Sequence, residues 1–427
     1  MAGELPAGTR LPTVRALSRE LGTSPATVSS AYRTLGVRGL VHADGRRGTR
    51  VTPRPALRPH VAAARAAARP PAGGYARDLT AGLADPELLP ALGPALARVA
   101  RTPPAPVERA EGADPRLLEF ARAWFAEDHV AAGSVAVVSG AMDGLERILA
   151  AHLRVGDRVL IEDPAYPPIR DLLLALGLVA APVPVDELGL VPGALESALA
   201  GGASALLLVP RGQNPTGAAL DAGRARELRA VLEAAPELLV LEDDHLSLVS
   251  GAPFHSAIAP GRERWAVVRS LSKLVHPDLR IALLAGDRTT VARLEGRQML
   301  GPRWVSHVLQ ATAATLLADP GFEDRCKRAG ETYAERRRAL IEALARRGIP
   351  ATGGSGLNVW VAVDEEAPAV HGLAQAGWLV LAGERFRTAA PPAIRITTAT
   401  LAAGEAELLA GALADVLARS PGPRSRY

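Results

Sequence analysis

Ser270-Leu271-Ser272-Lys273-Leu274-Val275-His276-Pro277-Asp278-Leu279-Arg280 follows a short apolar run, Trp265-Ala266-Val267-Val268, that reads as a buried strand. Lys273 therefore falls just past a strand's C-terminal end, where open α/β sheets gather their ligand chemistry. Of 49 Lys and Arg residues only Lys273 and Lys327 are lysines. A chain so biased toward arginine places arginine wherever positive charge alone is needed. Lysine at 273 points to a primary amine that can lose its proton and form an imine, which a guanidinium cannot do. A solvated surface lysine is the plainer alternative.

Outward from this stretch, apolar runs at 135–138, 158–162, 203–209, 238–242, 266–269 and 281–285 read as strands, with helical runs such as 223–234 between them. That alternation predicts an α/β fold, a mostly parallel sheet with crossover helices. Polar clusters sit at the strand ends. Ser139-Gly140-Ala141-Met142-Asp143-Gly144 is a glycine turn opening a helix, able to offer backbone N–H groups to a phosphate, or simply a helix start. Glu162-Asp163-Pro164-Ala165-Tyr166-Pro167 puts an aromatic where a flat ring could stack, although a packing tyrosine is common. Arg211-Gly212-Gln213-Asn214-Pro215-Thr216-Gly217 fixes a polar amide in a turn, and Glu242-Asp243-Asp244-His245 follows the next strand. Further on, 331–347 reads as an amphipathic helix with a dense arginine face, and 356–363 and 393–398 read as strands, the latter carrying Arg395.

The 427 residues suffice for two or three domains and a large core. No run of 18 apolar residues occurs, and the N-terminus lacks a signal-peptide pattern. Cys326 stands alone, so neither an intramolecular disulfide nor a cysteine metal cluster is expected. These features fit a cytoplasmic protein of bacterial type, without membrane or metal. Charge is uneven. Residues 1–52 carry a net +5 and residues 53–77 another +5, against +4 for the whole chain, so the remainder is near −6. A basic head on an acidic body suggests an anionic partner, double-stranded DNA first.

The head supplies more than charge. Thr13 is a plausible cap for a helix with Val14, Leu17 and Leu21 on one face, and Gly22 suits its stop. Ser24 caps a second helix with Pro25 at its first position and Val28, Ala31, Tyr32 and Leu35 on its apolar face. Two short helices about a tight glycine turn make a helix-turn-helix, whose second helix would enter the major groove through Ser24, Ala26 and Thr27. Arg15 and Arg33 would meet phosphate, and Arg46, Arg47 and Arg50 lie in a Gly/Arg wing. Residues 53–77, rich in Pro, Ala and Arg, read as a tether.

Leu11-Pro12-Thr13-Val14-Arg15, Leu21-Gly22-Thr23-Ser24, Thr27-Val28, Ala31-Tyr32, Leu35 and Gly48-Thr49-Arg50-Val51 resemble the winged helix-turn-helix of GntR-type regulators. That family has a further helix ahead of this point. The resemblance thus implies a misassigned start or a truncated head, with Leu17 and Leu35 thinly covered. Asn214-Pro215-Thr216-Gly217, the acidic pair, Ser270-x-Ser272-Lys273 and Arg280, in this order, resemble the fold type I pyridoxal phosphate (PLP) enzymes of aminotransferase class I/II. The resemblance implies an internal aldimine on Lys273 and Asp243 at the pyridine nitrogen. It places Asn214 and His245 near the ring hydroxyl and Tyr166 on the ring. Ser270, Ser272, Arg280 and the amides of Ala141 and Met142 would hold the phosphate. Arg395 matches the ligand of a substrate carboxylate, and Arg211 or Arg303 could reach the same pocket. Many relatives have Tyr at 245; His245 could change charge near neutral pH.

A GntR-like head fused to an aminotransferase-like body resembles the MocR regulators. The fusion implies a winged helix-turn-helix at 1–52, a linker at 53–77 and a PLP-binding body at 78–427, with a large part at about 115–290 and a small α+β part at about 291–420. It further implies a homodimer that senses an amine or amino acid by forming an external aldimine. The alternative is an aminotransferase with a vestigial head, and a third possibility is PLP as a structural device only.

Overall fold

The computed structural model describes residues 5, 8–37, 41–43, 48–52, 77–102, 112–402 and 404–419. The expected contacts Arg46 and Arg47, most of the linker and the side chain of Arg33 lie outside the described parts.

In the head, α1 (Val14–Glu20) begins where Thr13 Oγ1 accepts the Ala16 N–H at 3.2 Å, and α2 (Pro25–Val37) begins where Ser24 Oγ accepts from Thr27 at 3.1 Å. The wing is an antiparallel pair, β1 (Val41–Ala43) and β2 (Thr49–Val51). Residues before α1 join it, with Gly8 and Leu11 donating to Val51 and Thr49 at 2.8 Å. Tyr32 does not pack purely as an apolar residue; its hydroxyl donates to Pro12 O at 2.8 Å. Of the expected apolar face Val28 is buried, Leu17 and Leu35 are half-buried, and Leu21 is 63% exposed.

The body opens with β3 (Arg77–Asp78), α3 (Leu92–Arg101) and α4 (Pro115–Glu127). Among the described residues its sheet has eight strands: β4 (Ser134–Val138), β5 (Arg158–Asp163), β6 (Val179–Asp186), β7 (Gly189–Leu190), β8 (Ala205–Leu208), β9 (Leu239–Asp244), β10 (Trp265–Ser270) and β11 (Ala282–Gly286). The spatial order is β4-β11-β10-β9-β8-β5-β6-β7. β10, β9, β8, β5 and β6 run parallel, while β11 and β7 pair antiparallel with their neighbours. The mostly parallel sheet is as expected. β8 to β11 are buried along their whole length, which explains why they show apolar runs rather than alternations, with polar residues gathered at the carboxyl ends of β9 and β10. β6 escaped the sequence reading because Pro182 and Pro184 look like breakers. Both prolines point outward near the sheet edge while Ala181 and Val183 point into the core.

Crossover helices cover both faces: α5 (Ala141–His152), α6 (Pro167–Ala175), α7 (Pro192–Ala200) and α8 (Ala222–Glu233). α9 (Arg288–Met299) packs on α5 and β4, and α10 (His307–Leu317) on α3 and α4, so both belong with the large part rather than the small one. α11 (Phe322–Ala345) starts nine residues before the expected helix. Cys326 and Tyr333 at its beginning join the large core, whereas Leu340 and Leu344 at its end join the small one. The small part is an antiparallel sheet, β12 (Ala351–Thr352), β13 (Asn358–Ala362), β16 (Ala393–Thr397) and β15 (Leu381–Ala382), in that spatial order. α12 (Glu366–Gln375) packs on β15 and β16, α11 on β12 and β13, α13 (Glu405–Arg419) packs on both helices, and β14 (Trp378–Leu379) pairs with β3. No helix among the described residues is long and apolar enough to cross a membrane.

Candidate active site

The carboxyl ends of the parallel strands open onto a cavity of about 350 Å³ between the two parts. Each strand end delivers one group. β10 runs out at Ser270, and Ser270, Ser272 and Lys273 all line the cavity. β9 brings Asp243 and His245, the turn after β8 brings Asn214, and the residue capping α6 is Tyr166. Gly140, at φ +94°, turns the chain from β4 into α5, so that Ala141 and Met142 face the cavity. Arg280, left-handed at φ 49°, enters from before β11, and Arg395 from β16. All the sequence-proposed cofactor residues thus meet in one cavity, together with Arg395.

Burial is the largest influence on Lys273, pushing its amine down to about 8; Arg280 acts the same way and Asp243 against it. Asp243 is pushed up to about 7, first by burial and also by Asp244, with Lys273 opposing. Its Oδ1 is buried and has no hydrogen-bond partner. An orphaned carboxylate oxygen of this kind calls for a donor. A protonated pyridine nitrogen fits that need. The phosphate end fits as well. A Cβ on Gly140 would stand 2.5 Å from Arg280 Nη2, so only glycine lets that guanidinium lie against the turn. Ser270 Oγ donates to Ser272 Oγ at 3.0 Å on the same side.

His245 is held neutral, pushed down to about 3 by burial and by Lys273. The expected charge change near neutral pH is therefore corrected: desolvation outweighs the nearby Asp244. Burial pushes the Tyr166 hydroxyl above its usual range. Arg395 is buried, and burial lowers it to about 10. Its Nη1 donates to Asn214 Oδ1 at 3.2 Å, Nη2 donates to Thr80 O, and its guanidinium carbon lies 5.0 Å from the Phe386 ring centre. Nε is buried and unpartnered.

Arg211 is absent from the cavity wall, and this corrects its placement as an effector ligand. Nε and Nη2 each donate to Asp244 at 2.8 Å, which commits the whole fork. Asp244 also takes Arg269 Nε at 3.1 Å, and Arg269 reaches Asp128. Arg303 is exposed.

Several partners escaped the sequence reading. Glu162 lines the cavity floor, buried and pushed up to about 8 by desolvation; it accepts from Val209 N–H at 3.2 Å and Gln213 Nε2 at 3.1 Å. Gln213 also binds Thr216 and so fixes the turn bearing Asn214. Asp163 accepts three N–H groups from Thr388, Ala389 and Ala390, tying the large part to the small. Asp143 Oδ2 accepts the Ser139 N–H at 3.0 Å, and Arg147 holds its Oδ1 at 2.7 Å. Only the polarity of Asp143 and Glu162 beside strand ends signalled them.

In the head, Arg15, Ser24, Ala26 and Thr27 are exposed, while Arg50 Nη1 donates to Gly8 O at 2.8 Å. Residues 114–413 match the aminotransferase class I and II family, and residues 1–51 match the gntR family of bacterial regulatory proteins. The chain is 39% identical over 425 residues to the vitamin B6 salvage pathway transcriptional repressor PtsJ of Salmonella typhimurium, covering 98% of this chain and 96% of that one. It is 31% identical to the pyridoxine biosynthesis transcriptional regulator PdxR of Corynebacterium glutamicum, over 80% of this chain and 75% of that one. The fold also matches the α-aminoadipate aminotransferase LysN of Thermus thermophilus, with a TM-score of 0.73 at 23% identity over 80% and 92% of the two chains.

Proposed function

We infer the function from one premise: the chain belongs to the aminotransferase class I and II family and carries a gntR-family head, the fused architecture of MocR-type transcription regulators. It is a DNA-binding transcription regulator with a PLP-type body. The observation that carries the cofactor reading is the orphaned Oδ1 of Asp243, buried in the same cavity as Lys273 and the Gly140–Arg280 turn.

Bound there, PLP supplies an aldehyde carbon and an electron-withdrawing ring. Lys273, partly neutral at physiological pH, provides the amine that holds it. Asp243 would keep a proton on the ring nitrogen. Asn214 would bind the ring hydroxyl, with neutral His245 beside it, and Tyr166 would lie against the ring. Ser270, Ser272, Arg280 and the amides of Ala141 and Met142 would take the phosphate.

The effector is a small amine or amino acid. Arg395 would take its carboxylate, because its buried guanidinium has a spare Nε and forms no ion pair among the described residues. Effector binding would change the spacing or freedom of the heads, a coupling of about 1–3 kcal/mol. The partners are double-stranded DNA and a second copy of the chain, in the cytoplasm.

A second reading makes PLP itself the signal. Two of the relatives above are named for vitamin B6 control. Operator binding, followed by fluorescence anisotropy, separates the readings. The cofactor-free protein, the PLP-loaded protein and the loaded protein with a panel of amino acids are compared. A shift of about tenfold, worth 1.4 kcal/mol, on adding an amino acid to loaded protein supports the effector reading. The same shift on PLP alone selects the second. Rapid keto-acid formation, with operator binding indifferent to ligand, would leave an aminotransferase.

A further inference from the structure

The turn that would receive the phosphate carries a negative charge that nothing in the cofactor chemistry needs. Asp143 is the third residue of α5, and its Oδ2 reaches back to the Ser139 N–H at 3.0 Å. This resembles the back-reaching half of a capping box, shifted one residue outward. One N–H at the mouth of the turn is thereby taken by protein. The carboxylate also offsets the partial positive charge of the helix start, the feature that draws phosphate to such ends.

Arg147 offsets this charge only in part. Its Nε and Nη2 both donate to Asp143 Oδ1, at 3.0 and 2.7 Å, from one turn further along α5. The pair is therefore oriented, with its carboxylate toward the turn and its guanidinium away from it. The side chains are 23% and 10% exposed, so water screens the pair only partly. Arg280 supplies the opposing attraction against Gly140. The same cavity holds the orphaned Oδ1 of Asp243, so this helix start is part of a built site.

We propose that Asp143, oriented by Arg147, weakens the hold on the cofactor's phosphate so that occupancy follows the concentration of free PLP. This rests on the reading of the cavity as a PLP site. It gives a regulator a means of registering the cofactor supply itself, because a saturated site reports nothing.

The test titrates cofactor-free protein with PLP and, separately, with pyridoxal, which lacks the phosphate. Asp143→Asn keeps an acceptor for Ser139 and removes the charge; it should bind PLP about five- to tenfold more tightly, the scale of one favourable charge at a helix end. Arg147→Gln leaves the carboxylate uncompensated and should weaken PLP by a similar factor. Pyridoxal affinity should stay unchanged in both. Equal shifts for PLP and pyridoxal would mean that the pair only shapes the turn, and would overturn the proposal. So would unchanged PLP affinity in a folded Asp143→Asn. Should Asp143→Asn misfold, Arg147→Gln decides alone by the same ratio. Failure of the parent itself to bind PLP would sink the PLP reading, a result distinct from either.

Discussion

Asp243 and Asp244 are neighbours on β9, so their side chains leave opposite faces of the sheet. Behind the sheet, Asp244 meets Arg211 and Arg269, and Arg269 continues to Asp128 and to Trp124 O at 2.8 Å. Trp124, Phe125 and Phe254 lie against the guanidinium of Arg269 at 4.6 to 5.0 Å. Ahead of the sheet, Asp243 keeps an unpartnered Oδ1, Arg395 an unpartnered Nε, and Lys273 a depressed amine. Both regions bury charge, but only the rear one closes its own hydrogen bonds. Closed charge holds the fold together. Open charge waits for a ligand, and the protein carries its desolvation as a standing cost.

The largest expected effect comes from the open side. Lys273→Ala should eliminate the long-wavelength absorbance of lysine-bound PLP and the borohydride-reducible adduct. Lys273→Arg should do the same although charge is kept. Exposed Lys327→Ala should change neither. An adduct surviving in Lys273→Ala would place the chemistry elsewhere.

Next comes the closed side. Asp244→Asn leaves Arg211 and Arg269 buried without their shared carboxylate. It should cost about 3–5 kcal/mol in urea unfolding, the range for breaking a buried ion pair. Arg395→Leu removes a buried cation that forms no ion pair among the described residues, so it should leave stability unchanged or raise it by about 1 kcal/mol. It should also abolish any response to an amino-acid carboxylate. Equal destabilisation by the two variants would erase the distinction between the regions.

That distinction marks the limit of what the sequence disclosed. The acidic pair, the lysine and the strand-end turns were legible because parallel strands deliver side chains at their carboxyl ends, one cluster per strand. Which carboxylate faced the ligand came from the resemblance, since strand alternation separates the two without saying which is which. Arg211 was one of two arginines that could reach the pocket, yet its fork matches Asp244 across 33 residues of chain. His245 read as a switch because histidine usually titrates near neutrality; only packing reveals that desolvation holds it neutral. β6 was hidden by two prolines, which it accommodates because β7 pairs only with residues 185 and 186 and leaves 182 and 184 without a neighbour on that side.

The pH dependence of cofactor capture sharpens the open side. A lysine lowered to about 8 is about one-tenth neutral at pH 7 and about nine-tenths neutral at pH 9. The neutral amine is the nucleophile. Capture of PLP by cofactor-free protein should therefore accelerate about tenfold between those pH values and then level off. Stopped-flow absorbance measures it. A rate still climbing beyond pH 10 would mean that Lys273 is not desolvated as the structure has it.

The smallest effect belongs to the head, where the comparison takes a third form: charge that is neither closed nor buried. Arg15 is exposed just after the cap of α1 and forms no ion pair among the described residues. Arg50 differs, because its Nη1 is already given to Gly8 O at 2.8 Å. Exposed charge of the first kind contributes to DNA binding mainly by releasing counterions, so its signature is a salt slope rather than a specificity. Arg15→Gln should lower the slope of log affinity against log salt by about 0.9, the loss of one phosphate contact. It should do so equally on operator and random DNA. Arg50→Gln should lower it less, since its fork is partly spent within the wing, and should loosen the wing instead. Measuring both slopes by anisotropy at several salt concentrations ranks them. Equal slopes for the two variants would show that Arg50 leaves Gly8 when DNA arrives, and a slope unchanged by Arg15→Gln would remove α1 from the DNA contact.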